Sequence, residues 1–274
     1  MEIIFNNLSF FSNKKTSYQK KVLDNVNLII KSGTIAGFLN EDLSIIGELL
    51  TLIKRPSSGE LKLGNIVIKR TSHINNVQLL KKKIGFVYTK NFLFKCDTVK
   101  EEIKSVMKQY NFKTSNVSKH ISDSLSIVLL NDKYLERNPN TLSYTEKKKL
   151  LLAMVLSYNP EILILDNFFS GMIAKDIKYF KNLFIKLKNK YGKSIILLTN
   201  SVEDLFDVID NVYVISNGEL KILLDKNEFY TDDVYKYTHM PNIIEFTKYA
   251  QSEGHRILNY TDNKELLKEL YRKC

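Results

Sequence analysis

Cysteine is almost missing from this 274-residue chain: Cys96 and Cys274 are the two thiols, and they stand far apart. They give no metal-ligand spacing and no disulfide framework, which suits a reducing cytoplasm. The four histidines, His73, His120, His239 and His255, are scattered and form no ligand set, so no metal is expected. The first residues, MEIIFNNLSF, have neither a basic stretch nor an apolar core, so no signal peptide is expected. No apolar run approaches the ~20 residues that span a bilayer. If the chain serves transport, another protein must cross the membrane. There is no internal repeat, no low-complexity segment and no interleaving of aromatic with basic residues of the kind that binds nucleic acid. Nucleic acid is not an expected partner.

What is present is a globular composition. The hydrophobic fraction is 44%, enough for a sizeable core in one large α/β domain with or without appendages. The formal charge is +11. Its lysines are spread along the chain beside many Asn and Ile, which reads as compositional bias rather than a focused patch. A basic surface still suits work near anionic lipid headgroups.

Hydrophobic periodicity divides the chain. Residues 2–10 alternate as a strand. KVLDNVNLIIKSGTIAGFL reads as two strands around Lys31-Ser32-Gly33. IGELLTLIK reads as a helix with Ile46, Leu49, Leu50 and Ile53 on one face. ELKLGNIVI is a hairpin with Gly64-Asn65 at its tip. KKIGFVY is a strand, 98–135 is mostly helical, and TEKKKLLLAMVLSY is an amphipathic helix ended by Asn159-Pro160. EILILD and SIILLT are apolar strands of the kind buried in a parallel sheet. Helices are expected at 174–190 and 202–209, and a hairpin at NVYVISNGELKIL. Pro241 opens a helix with Ile243, Phe246, Thr247 and Ala250 at helical spacing, and Asp262 caps another.

In that order, the segments resemble an ATP-binding cassette (ABC) ATPase, most of all the ATPase subunits of energy-coupling-factor uptake transporters. VLDNVNLIIKSGTIAGFL resembles the strands before the Walker A loop. IKRPSSGELKLGNIVI has the spacing that follows that loop, and IGFVYTKNFLFKCDTVKEEI resembles the Q-loop region. TLSYTEKKKLLLAMVLSYNPEILILDNFFSGM resembles the signature helix, Walker B and D-loop. SIILLTNSVEDLFDVIDNVYVISNGEL resembles the H-loop strand and its sequel. The resemblance implies an α/β fold: a RecA-like core with an antiparallel β flap and a helical subdomain, followed by C-terminal helices. The expected division is 1–230 for the ABC ATPase-like domain, with its helical subdomain at about 92–146, and 231–274 for an oligomerisation appendage.

Position by position, the residues expected of an ATPase are different here. A phosphate loop needs glycines to turn N–H groups inward, Lys for the β/γ-phosphates and Ser/Thr for Mg²⁺. In an ungapped register, Asn40, Leu43 and Ile45 fall at the glycine positions, Ile46 at the lysine and Gly47 at the hydroxyl, with Ser44 between them. Glu41 and Asp42 add negative charge. Two like charges about 4 Å apart at an effective dielectric of 20 repel by roughly 4 kcal/mol. A helix N-terminus offers an anion only ~0.3–1 kcal/mol. The Q-loop glutamine position holds Thr89. Walker B ends in Asp166, followed by Asn167 where a glutamate base is expected, and Asn200 stands at the switch-histidine position. Neither Ile173 nor Ala174 is the D-loop aspartate. The adenine-stacking position falls on Ser12, with Phe11 beside it. The signature reads Leu142-Ser143-Tyr144-Thr145-Glu146, with bulk where glycines would let the backbone approach phosphate. Phe168 and Phe169 after Walker B read as packing, and Asp166 as a retained cap or acceptor.

The resemblance therefore implies a catalytically degenerate subunit of an energy-coupling-factor-type transporter for vitamins or metal ions. It would act as scaffold and coupling partner of an intact ATPase paralogue in a heterodimer. Its other partners would be an integral membrane coupling protein and a substrate-binding membrane component. It would lie in the cytoplasm, peripheral on the inner face of the membrane. Two alternatives stand beside this: an atypical working ATPase using ATP and Mg²⁺, and a non-transport regulator on the same fold.

Overall fold

The computed structural model describes residues 1–12, 20–39, 43–72, 78–225, 235–258 and 263–273. Strands β1 (Ile3–Ser12), β2 (Lys20–Ile30), β4 (Ser58–Leu63) and β5 (Ile66–Ile68) form an antiparallel sheet in the order β2-β1-β4-β5. β3 (Ile35–Leu39), β6 (Ile84–Val87), β7 (Ile162–Asp166), β8 (Ser194–Thr199), β9 (Asn211–Ser216) and β10 (Glu219–Asp225) form a second sheet in the order β10-β9-β3-β8-β7-β6. From β9 to β6 its pairings are parallel, and β10 adds an antiparallel edge. The helices are α1 (Ser44–Leu50), α2 (Gln78–Lys81), α3 (Val99–Gln109), α4 (Val117–Ile127), α5 (Tyr144–Leu156), α6 (Ala174–Tyr191), α7 (Asn242–Ser252) and α8 (Asn263–Lys273).

The parallel strands are apolar throughout because both of their faces are covered. Ile162, Ile164, Ile196 and Leu198 face the antiparallel sheet and α1. Their neighbours Leu163, Leu165, Ile195 and Leu197 share a core with buried residues of α3 to α6. The period of two thus sorts each strand between two cores. Phe38 stacks on Tyr213 at 4.8 Å, and the Tyr213 hydroxyl donates to the Ile29 carbonyl at 2.7 Å, tying the two sheets together.

Several expected elements differ in detail. The two strands around Lys31-Ser32-Gly33 do not pair with each other: β2 pairs with β1, and β3 lies between β8 and β9. Helix α1 stops at Leu50, because Leu52 turns left-handed at φ 61°, and Ile53 beyond it is exposed. Only Val202–Asp204 of the expected 202–209 helix forms, as a 3₁₀ turn. Asp207 at φ 64° breaks the remainder, although Leu205, Phe206, Val208 and Ile209 are buried. Helix α5 is enclosed on several sides, with Lys148 buried among Leu150, Leu152, Ala153 and Val155, so it is not simply amphipathic. In α7 it is Ile244, with Ile243, Thr247 and Ala250, that is buried, while Phe246 is exposed. Ile243, Ile244, Ala250, Ile257 and Leu266 join the larger core, so the appendage packs on the body. The Asp262 cap lies outside the described residues. No described helix is long and apolar enough to cross a membrane.

Candidate functional site

The carboxyl ends of β3 and β7 are neighbours in topology, each one strand from β8. β7 ends in Asp166, whose side chain is buried. The Ser44 hydroxyl, the first residue of α1, donates to Asp166 Oδ2 at 2.8 Å. Burial raises the Asp166 carboxyl pKa above the usual range. The Ser44 hydrogen bond and the charges of Lys90 and Lys148 oppose the rise.

β3 ends at Leu39 and α1 begins at Ser44. Asn40, Glu41 and Asp42 lie outside the described residues. Leu43 is the N-cap of α1 and makes no side-chain cap. Ile45, Ile46, Leu49 and Leu50 are buried in the core between the sheets. The ungapped register gave the hydroxyl position to Gly47 and the lysine position to Ile46. In the structure, the hydroxyl that meets Asp166 belongs to Ser44. A Cβ on Gly47 would lie 2.5 Å from the Phe86 ring, so this glycine serves packing.

Thr89 is buried, and its hydroxyl donates to the Asp166 main-chain carbonyl at 2.8 Å. It stitches the loop after β6 to the end of β7. Asn167 is left-handed at φ 48°, and its N–H donates to Leu198. Asn200 is exposed just after β8. Thr199 before it donates to Asp204 Oδ2 at 2.6 Å, and burial raises the pKa of Asp204. Ser44, Thr89, Asp166 and Asn167 are thus gathered at one edge. Phe11 donates its N–H to Ser57 Oγ, and the Ser12 hydroxyl donates to the Lys20 carbonyl, closing the flap edge.

Residues 142–146, read above as the signature, form a local cap at the start of α5. Ser143 and Glu146 form a capping box, and Glu146 also accepts from the Tyr134 hydroxyl at 2.6 Å. These bonds hold the Glu146 carboxyl below its usual range. Leu142 is buried and Thr145 is half-buried. Half-exposed Tyr144 meets the edge of Phe92 at 5.4 Å. Phe168 and Phe169 are buried against Phe180 and Phe184.

Two features escaped the sequence. Ser44 was legible only as a residue between apolar neighbours, and its partner is 122 positions away. The other is a groove of about 520 Å³ between α1 and the helical segment, walled by Phe86, Tyr88, Tyr110, Leu151, Met154 and Tyr158. Tyr110 and Tyr158 stack at 4.0 Å there.

Comparison with known proteins agrees with this architecture. The ABC transporter family profile matches residues 23–170. The energy-coupling factor transporter ATP-binding protein EcfA3 of Oenococcus oeni is 25% identical, over 98% of this chain and 96% of its own. EcfA2 of Enterococcus faecalis is 26% identical, over 93% and 90%. Among solved structures, the ATP-binding cassette MJ0796, a dimer in a post-hydrolysis state bound to ADP and Pi, gives a TM-score of 0.74. It is 21% identical over 82% of this chain and 98% of its own. The cbiO1 protein of Clostridium perfringens, part of the ABC transporter complex cbiONQ, gives 0.68 at 22% identity over 90% and 98%.

Proposed function

The chain belongs to the ABC transporter family, and from that premise we propose that it is an energy-coupling-factor-type ATPase-like subunit working as scaffold and coupling partner of an intact ATPase. The observation that carries this is Ile46, fully buried where the ungapped register expects the phosphate-binding lysine, in a stretch 40–47 that contains no lysine. The nucleotide and Mg²⁺ implied by the fold do not fit such a site. Ile46 is buried instead of reaching outward, and an amide at Asn167 cannot accept a proton as a base.

The rest of the molecule suits a coupling role. The groove beside Tyr88 and Tyr110 has the size and apolar walls to receive a short segment of a membrane partner. The appendage leaves Phe246, Tyr249, Leu267 and Tyr271 exposed, and these offer a contact to a paired ATPase. Removing residues from 238 onward is expected to weaken co-purification with that ATPase while the α/β core stays folded. Unchanged co-purification would remove the tail from the interface.

One observation favours a second reading, a working but atypical ATPase. Ser44 and Asp166 bring together a hydroxyl and a carboxylate, the kinds of group that phosphate-loop enzymes use around Mg²⁺. Both readings meet in one experiment. The chain is co-expressed with an intact paralogue and the membrane protein, and ATP turnover by the complex is measured. The scaffold reading expects turnover to depend on the paralogue's loop lysine and to survive Asp166→Asn in this chain. Loss of turnover with Asp166→Asn, in a complex that still assembles, would favour the second reading.

A further inference from the structure

Lys148 lies in the second turn of α5 and has 0% exposure. Its ammonium meets oxygen rather than hydrocarbon. It donates to the carbonyls of Asn167 at 2.7 Å and Ser170 at 2.8 Å, with the Phe168 carbonyl at 3.4 Å. Three N–H donors meet three acceptors, which is the full capacity of an ammonium. Tyr144, four residues earlier on the same helix face, covers the charge with its ring centroid 4.5 Å from Nζ.

All three carbonyls belong to the segment directly after Asp166. In it Asn167 and Gly171 are left-handed, at φ 48° and 76°. These turns gather the carbonyls on one side, and Lys148 fills the space they make. The next residue adds a second tie: Lys149 pairs with Asp176 at 2.6 Å, both side chains mostly buried. Phe168 and Phe169 pin the segment against Phe180 and Phe184 of α6. The charges facing Lys148 are the carboxylates of Asp166 and Asp204.

We infer that Lys148 is an internal cation that locks the segment after β7 onto α5 in one conformation, with no ligand required. A segment that answers to a ligand needs two arrangements within a few kcal/mol of each other. Here any second arrangement would strand a buried ammonium and three carbonyls, so one arrangement dominates. The lock stands whether or not the chain takes up nucleotide, so its failure and that of the functional reading are separable.

The test is amide hydrogen exchange read by mass spectrometry on the full chain. In the wild type, the amides of Asn167, bonded to the Leu198 carbonyl, and Met172, bonded to the Phe169 carbonyl, should exchange far more slowly than those of an exposed loop. Lys148→Met keeps the stem and removes the donors. It should raise exchange at 167–172 and in the first turn of α5 by about tenfold or more, with α3 and α4 unchanged. Lys148→Gln, which keeps two N–H donors without the charge, should fall between. Wild-type exchange at the rate of an exposed loop would overturn the lock. So would unchanged exchange in both variants, or a rise spread evenly over the chain.

Discussion

At the carboxyl edge of the parallel sheet, the end of β7 and the end of β3 differ. β7 leads into Asp166, held by Ser44 at 2.8 Å, and then into a segment whose carbonyls are filled by Lys148. β3 leads through four residues to a helix that begins Ser-Ile-Ile-Gly and turns its bulk into the core. On the β7 side the Asp166 carboxylate and the carbonyls of Asn167, Phe168 and Ser170 all have donors. The β3 side has no lysine or glycine pair to engage a phosphate. Groups that also serve packing or internal hydrogen bonding are present, and groups whose main use is to reach a ligand are not.

The sharpest way to break that comparison is to damage the frame. Phe184 is fully buried and touches Phe168, Phe169 and Phe180. Phe184→Ala should cost about 3–5 kcal/mol in urea unfolding. A cost under about 1 kcal/mol, within the range of surface changes, would mean this side of the sheet is not the rigid frame.

The next effect tests the polar join. Ser44→Ala leaves the buried Asp166 carboxyl without its donor and should cost about 1–3 kcal/mol. The double change Ser44→Ala/Asp166→Asn should cost less than the sum of the singles, because the two groups share one bond. Additive costs would show that they act separately.

A smaller effect comes from pH. Burial pushes the Lys148 pKa down to about 8 from the ordinary 10.5. Between those values the unfolded chain holds a proton that the folded chain has released, so the contribution of this group to stability rises with pH across that window. The stability of wild type relative to Lys148→Met should therefore increase from pH 7.5 to pH 10. The neutral amine keeps two N–H donors for the two short bonds. A flat difference would place the Lys148 pKa at its ordinary value.

The frame was legible in the sequence and the join was not, for physical reasons. EILILD and SIILLT read as buried strands because both faces are covered. The strand after Gly33 gave no sign that it leaves the first sheet for the second, since a period of two does not name its partner. At 202–209 the apolar spacing was correct for burial, yet left-handed Asp207 ended the turn. In α7 the choice between Ile244 and Phe246 rests on how the helix rotates against the body, which spacing alone leaves open. Lys148 is the middle of three consecutive lysines, a residue type rarely buried without partners. Its partners are carbonyls, which a sequence does not display. Ser44 was not legible as a partner because the carboxylate it meets, Asp166, lies 122 positions away.

The smallest expected effect lies at the rim. By the resemblance read in the sequence, Asn167 and Asn200 stand where an ATPase would carry a glutamate and a histidine. Asn200→His, at an exposed position, should change stability by no more than about 0.5 kcal/mol. The pair Asn167→Glu/Asn200→His should not create ATP hydrolysis in the isolated chain, because the loop before α1 is unchanged. Measurable turnover by that variant would show that the loop already holds nucleotide.

The most direct measurement is calorimetric titration of the isolated full chain with Mg²⁺ and ATP, and separately with ADP. The account predicts no saturable heat up to millimolar nucleotide. A saturable isotherm with a Kd of about 1 μM, worth roughly 8 kcal/mol of binding free energy, would contradict it.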